Sequence, residues 1–447
     1  MADGSLSSPL PSSASPPSTA TAAVNDKDWT FATSYSLAFL TFVSAFNYLD
    51  RSLLGLALPA IKSEMQVSDT ALGLVSGLAF VLFYSLLGVP IAWLADRWNR
   101  RNIIAIGFAF WSLMTMLTGW VAGIWQLAAA RFLMGAGEAC GLPPSNSMIS
   151  DLFRKERRPL ALSLFGMGNS IALMVFFPLL GWLGERYTWR AMFVVAGAVG
   201  LLFSGLFYWS VPEPRRSAAS ATRAAAQEGL IASLAVLARI RAYVALVAAG
   251  TFMGLNVFAA SVWTPTFLER VHGLSLGEVA STIGPIRGAF GLAGVLLGGL
   301  VIDRLIPRAP RWRVNIPALA CLLLAPVEIV FLMADERWVW LAAYAASAFL
   351  TLVHQGPVFA LVLEIVPARM RAVAIATLLL CSALLGQAIG PLLVGAINDA
   401  LAPTLGALAI RYSMLILAAT ALLAGFAILV AGRWLQDQDL KAADGSE

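Results

Sequence analysis

Ala92-Trp93-Leu94-Ala95-Asp96-Arg97-Trp98-Asn99-Arg100-Arg101 joins two long apolar runs with a burst of charge, and a shorter echo, Gly299 with Ile302-Asp303-Arg304, follows in the second half of the chain. A basic loop between two apolar stretches marks a membrane surface. Its recurrence marks a duplicated chain, and other pairs agree: Asp151, Arg158 and Pro178 match Glu364, Arg371 and Pro391 at one common offset, both prolines opening a Pro-Leu-Leu triplet. Two related halves of parallel topology form an architecture whose binding site lies between the halves near the bilayer midplane.

Composition supports that reading. Of 447 residues, 59% are hydrophobic and 12% charged, and the mean hydropathy is +0.79, whereas a soluble domain carries about 25% charged residues. A water-soluble globule is excluded. Apolar runs occur at 31–58, 71–94, 102–122, 124–150, 159–184, 189–211, 242–268, 279–302, 314–333, 338–363, 372–397 and 409–432. Backbone groups in hydrocarbon must be satisfied within the segment, so each run is predicted to be a helix. The expected fold class is an all-α polytopic membrane protein of twelve transmembrane helices in two six-helix halves.

Residues 1–28 are rich in Ser, Pro, Ala and Thr and read as a disordered tail without a signal peptide. The predicted units are an N-terminal half at 29–211, a cytoplasmic linker at 212–241, a C-terminal half at 242–433 and a tail at 434–447. Arginine and lysine concentrate in the loops after even-numbered spans, which predicts both termini in the cytoplasm. The basic residues form no separate domain, so the net charge of +5 reports topology rather than nucleic-acid binding. Cys140, Cys321 and Cys381 are too scattered for a disulfide framework or a metal cluster. Without a Walker loop or nucleophile elbow, the chain reads as no enzyme, needs no cofactor, and takes its energy from a gradient.

Ionisable groups inside apolar runs are expensive and call for partners or a wet cavity. The first span holds Phe46-Asn47-Tyr48-Leu49-Asp50-Arg51, and the fourth holds Arg131 and Glu138 with Gly135 between them. Arg131 and Glu138 are two helical turns apart and share a face. Asp50 and Arg51 diverge by about 100°, so one arrangement turns Arg51 with Asn47 or Tyr48 toward the cavity and Asp50 toward neighbouring helices. A carboxylate that alternates between a guanidinium and an apolar wall changes its proton affinity, which is the physical basis of coupling. The competing reading is a static cluster holding spans 1 and 4 together.

Asn47 aligns with Asn256, but Asp50-Arg51 then faces Ala259-Ala260, which points to an asymmetric site in the N-terminal half. Arg287 either lines the cavity or neutralises a carboxylate. Glu328 is expected near the outer end of its span, within reach of interfacial water, and His272 in a solvated loop. His354 reads as a hydrogen-bonded histidine rather than a proton shuttle.

The loop at 92–101 resembles the G-x-L-A-D-R-x-G-R-R signature of the major facilitator superfamily, with Ala92 and Asn99 in place of glycines. That resemblance implies a cytoplasmic latch between halves, formed by Asp96, Arg97, Arg100, Arg101, Asp151, Asp303 and Arg304, with Arg97 or Arg100 reaching Asp151. Asn47-Tyr48-Leu49-Asp50-Arg51-Ser52 and Arg131-x-x-x-Gly135-x-Gly137-Glu138-Ala139 are similar to bacterial members of the spinster branch. The branch implies proton-coupled alternating access in the inner membrane by a monomer, moving a lysolipid-like or sphingosine-phosphate-like anion. Asp50 and Glu138 would be its proton-sensitive carboxylates. Arg131 and Arg51 would be the headgroup or ion-pair cations, with Asn47, Tyr48, Asn256 and Arg287 completing the substrate site. The expected partners are therefore an amphipathic or organic-anion substrate, protons and membrane lipids. The alternatives are an anion:cation symporter of a small organic acid such as a sugar acid, and a transport-inactive receptor or scaffold.

Overall fold

A computed structural model describes residues 29–95, 97–214, 230–305, 307, 309 and 311–443. The tail at 1–28, Asp96 and most of the linker lie outside the described residues, as does the side chain of Asp303. The N-terminal half contains α1 (Phe31–Met65), α2 (Asp69–Ala95), α3 (Arg100–Thr118), α4 (124–152), α5 (Arg158–Arg186) and α6 (Trp189–Ser210). A short linker helix, Leu230–Leu237, precedes the second half. That half contains α7 (Arg241–His272), α8 (Leu276–Leu305), α9 (Trp312–Met333), α10 (Arg337–Ile365), α11 (Arg371–Leu405) and α12 (409–443). Among the described residues, nine helical stretches are long and apolar enough to cross a membrane, the last running through both α11 and α12. Helices α1 and α4, which carry Asp50, Arg51, Arg131 and Glu138, fall outside that set.

Local chemistry explains the starts and breaks. Asn99, which stands where the signature has glycine, caps α3 by accepting from the Asn102 amide at 3.0 Å. The run at 124–150, read as one span, breaks after Glu138 and restarts at Leu142. Pro143 and Pro144 lack N–H groups and suit only the first turn of a new helix. In α5 the turn Ala172–Phe176 is π-helical and sits just before Pro178. A proline ring clashes with the carbonyl four residues earlier, and the wider turn relieves that clash.

The halves meet along three helix pairs, each admitted by glycine. Cβ atoms at Gly73 and Gly77 of α2 would stand 2.4 and 2.1 Å from the Pro391 and Gln387 carbonyls of α11. Pro391 leaves the Gln387 carbonyl without its intrahelical donor, and Gly77 is the residue that lets α2 approach it. Gly284 of α8 lies against the Leu173 carbonyl of α5, and Gly55 of α1 against the Ser261 carbonyl of α7.

One end of the molecule is sealed. Asp69 at the start of α2 meets Lys62, Arg270 and Asn398, and Asp399 of α11 accepts from the backbone amides of Asp69 and Thr70 at 3.0 and 2.7 Å. A single apolar core there draws on both halves, from Leu49 and Leu72 to Phe267 and Trp340. Toward the other end the core divides. One cluster belongs to the N-terminal half, with Ala388 as its buried guest from α11, and another to the C-terminal half. Arginines at that end pair within their own half: Arg100 with Asp151 at 2.6 Å and Glu213 at 2.8 Å, and Arg313 with Glu364.

Candidate functional site

Between the halves lies a cavity of about 250 Å³ lined by α1, α5, α7, α8, α9, α10 and α12. Its polar lining comprises Tyr48, Asn169, Ser170, Asn256, Thr264, Arg287, Glu328, Tyr344, Ser347, Thr351 and Gln355. The π-helical turn of α5 supplies Leu173 to its wall. Arg287 stands beside the phenols of Tyr48 and Tyr344 and forms no ion pair among the described residues. The Tyr344 hydroxyl is buried beside that guanidinium.

Glu328 overturns its expected solvation. It is 3% exposed and faces the cavity, where Asn256 Nδ2 donates to its two oxygens at 2.9 and 3.1 Å. Asn256 also donates to the Leu417 carbonyl at 3.0 Å. The cationic and acidic side chains that line this cavity, Arg287 and Glu328, therefore come from the C-terminal half, contrary to the asymmetry drawn from Asp50-Arg51. His272 is also not solvated: it ends α7 with its ring against Phe267 and Trp340.

A second cavity of about 230 Å³ adjoins the first and shares Val257, Thr351, Leu352 and Gln355 with it. Its remaining wall is mostly apolar, including Met253, Phe258, Val358, Phe359, Leu378 and Leu379. His354 lines it, 9% exposed and close to the Thr351 backbone.

The N-terminal charges form a separate cluster in which Asp50, Arg131 and Glu138 are buried and Arg51 is 22% exposed. Arg51 Nε donates to Glu138 Oε2 at 2.7 Å, and its guanidinium lies over the rings of Phe80 and Tyr84 in α2. Arg131 is 1% exposed; its Nη1 reaches the Asp50 backbone carbonyl at 3.3 Å and Met134 Sδ at 3.2 Å. Among the described residues neither Asp50 carboxyl oxygen nor Glu138 Oε1 meets a partner at hydrogen-bonding geometry, and all three are buried. Trp111 and Thr115 of α3 stand nearest the Asp50 carboxyl as donors.

The structure brings Asp50, Arg51, Arg131 and Glu138 together and turns Asp50 toward a neighbouring helix, whereas Arg51 and Arg131 do not line the cavity. Arg51 and Arg131 point into the N-terminal bundle in this conformation, because the aromatic rings of α2 offer a guanidinium a better surface than the cavity does. Asn47 also misses the cavity and faces Gly141, Ser145 and Phe165. Tyr48, Asn256 and Arg287 do line it. At the loop, Arg97 stacks on Trp93, the Arg101 amide donates to Glu213, and Arg304 is exposed.

The family model described as Major Facilitator Superfamily matches residues 40–391. This chain belongs to the major facilitator superfamily. An MFS-type efflux pump of Mycolicibacterium smegmatis is 30% identical over 87% of this chain and 90% of its own. The probable galactarate/D-glucarate transporter GudP of Bacillus subtilis is 27% identical over 70% of this chain and 74% of its own. The sphingosine-1-phosphate transporter SPNS2 of Danio rerio is 26% identical over 90% of this chain and 85% of its own. The crystal structure of a bacterial homolog of the human lysosomal transporter Spinster, inward-facing and unoccupied, superposes with a TM-score of 0.79 at 24% identity, covering 91% of this chain and 98% of that one. The chain is a transporter of this superfamily, not an enzyme, and is similar to spinster homologues.

Proposed function

We propose that this transporter moves an amphipathic anion by proton-coupled alternating access. The observation that carries the reading is the adjacency of the two cavities: a polar chamber, whose Arg287 forms no ion pair among the described residues, shares Thr351 and Gln355 with an apolar one. An acidic head docks on the guanidinium and a hydrocarbon tail lies along Met253, Phe258 and Leu378. With both termini in the cytoplasm of the inner membrane, the sealed end faces outward, and the divided core leaves the cavity reachable from inside.

Proton exchange falls to Asp50 and Glu138. Two carboxyl groups are buried around one bonded guanidinium, Arg51, so a change in their protonation costs less than exposing them. Gain or loss of a proton at Asp50 alters its fit beside Trp111 and Thr115, and thereby the packing of α1 against α3. Substrate and proton then change each other's affinity by linkage. The carrier works as a monomer, with the loop residues from Arg97 to Arg101, and Arg304 opposite, closing the cytoplasmic side when the halves rock.

Polar groups in both halves of the cavity, among them Asn169 and Ser170 opposite Gln355, favour a second reading: a small organic acid, as the name of the Bacillus relative suggests. Proteoliposomes decide between them. Addition of a lysolipid phosphate is expected to drive proton flux where galactarate does not. Flux with galactarate alone would establish the second reading, and flux with neither would remove both.

A further inference from the structure

We infer that the crevice between the first halves of α1 and α5 is a binding site for an anionic phospholipid of the surrounding bilayer, seated beside the transport path and not carried along it. The crevice encloses about 440 Å³ and is walled by Leu37 and Ala38 of α1 and by Leu164, Met167 and Ile171 of α5. It makes almost no polar demand, since Thr41, which also lines it, spends its hydroxyl on the Leu37 carbonyl at 2.8 Å. Among the described residues its lining comes from the N-terminal half alone. Asn169, which faces the central cavity, lies about 200° round α5 from Met167.

The dimensions and the collar of the crevice select its occupant. From Ser34 to Ala45 it follows α1 for about 16 Å, roughly half of a hydrocarbon core about 30 Å thick. One leaflet's acyl chain matches that length. Phe42 and Phe176, with ring centroids 5.8 Å apart, close the inner end. Trp29 stands at the mouth, 37% exposed, with its ring 4.9 Å from that of Phe153. Tryptophan at the end of a span marks the headgroup level. Phe153 leads directly into Arg154-Lys155-Glu156-Arg157-Arg158, four cations against one acid. Arg158 Nε is held by the Phe153 carbonyl at 3.0 Å, whereas Lys155 and Arg157 are exposed. Basic side chains at this level attract anionic headgroups. A lipid whose chain lies in the crevice therefore brings its phosphate to Lys155 and Arg157. A zwitterionic lipid offers the same chain but carries its own cation, and a soluble phosphate offers no chain.

The test places p-benzoylphenylalanine at Met167, inside the crevice, or at Leu202, exposed on α6, in the full-length transporter. Nanodiscs hold phosphatidylglycerol and phosphatidylcholine of equal chain length, and mass spectrometry identifies the adducts after irradiation. At Met167 the ratio of phosphatidylglycerol to phosphatidylcholine adducts is expected to exceed the bilayer ratio at least ~5-fold, the scale of one basic side chain at the interface. At Leu202 it is expected to match the bilayer. Lys155→Gln combined with Arg157→Gln is expected to return Met167 to the bilayer ratio at an unchanged melting temperature, and soluble glycerol phosphate is expected not to compete. The bilayer ratio at Met167 in wild type overturns the inference, as does an enrichment that survives the double substitution. Equal enrichment at Leu202 reduces the effect to general attraction by a basic surface, and competition by glycerol phosphate makes the site one for a free anion; either result overturns it. An adduct with residues 1–28 or with a second copy, in place of lipid, does so too.

Discussion

Asp69, the first residue of α2, receives both terminal nitrogens of Arg270 from the opposite half, at 2.8 and 2.9 Å. Lys62 adds a third cationic contact at 2.8 Å, and the Asp69 side chain is fully enclosed. A carboxylate bound by a fork of two N–H groups is held in place as well as neutralised. This contact fastens the halves at the end where their apolar cores merge.

Replacing Asp69 by Ala leaves Arg270 and Lys62 without their shared anion. Loss of one partner from an enclosed ion pair costs about 3–5 kcal/mol, here charged to the state in which this end is shut. Spin labels at Ser63 and Thr404 are expected to report a longer, broader distance distribution in Asp69→Ala than in wild type. An unchanged distribution would mean that the latch does not hold this state.

Gly77→Val tests the same closure through sterics instead of charge. A Cβ at that position meets the Gln387 carbonyl at 2.1 Å, so backbone must move. Overpacking of this kind costs about 1–3 kcal/mol, and it too falls on the shut state. The expected readout is increased labelling of single cysteines at the sealed end. Gly88→Val, with nothing within 4 Å of its added Cβ, serves as the control.

Asp50→Asn keeps the shape of the side chain and removes its proton chemistry. The variant is expected to fold, to bind substrate with an affinity that varies less with pH than in wild type, and to lose uptake driven by a pH gradient. Transport assays at two pH values check this. Gradient-driven uptake at the wild-type level would remove Asp50 from the coupling machinery.

Arg131 and Arg287 should behave differently when truncated. Arg131 is buried beside Asp50 and Phe80, so Arg131→Ala, which leaves a void there, is expected to lower stability while affecting substrate affinity less. Arg287 faces the cavity, so Arg287→Ala is expected to lose anion affinity at a nearly unchanged melting temperature. Thermal shift with and without ligand measures both effects.

The helical architecture was legible because hydrocarbon leaves the backbone no other choice, and the duplication because motifs at 95–97 and 302–304 recur. The association of Asp50, Arg51, Arg131 and Glu138 was legible from the expense of intramembrane charge. Their direction was not: pitch places Arg51 about 100° from Asp50, but only the position of Phe80 and Tyr84 decides where its guanidinium rests. Glu328 was misjudged because distance along α9 was taken for depth, and the side chain turns inward to Asn256. The signal was present in Asn256, an amide in an apolar span that itself needed a partner. The breaks at Gly141 and in α5 follow from Pro143, Pro144 and Pro178, which a hydropathy window averages away.

Helix α2 owes its capping to both halves. Ser68 serves the Ala71 amide, but the two preceding amides are served by Asp399 of α11. Each parting of the halves therefore strips a helix terminus bare, and an unloaded carrier that swings open must tolerate exposed peptide dipoles until water reaches them. Under the proposed mechanism the empty protein then idles against a brake, and a slippage route that would dissipate the gradient without cargo is throttled by the very residues that begin its second helix.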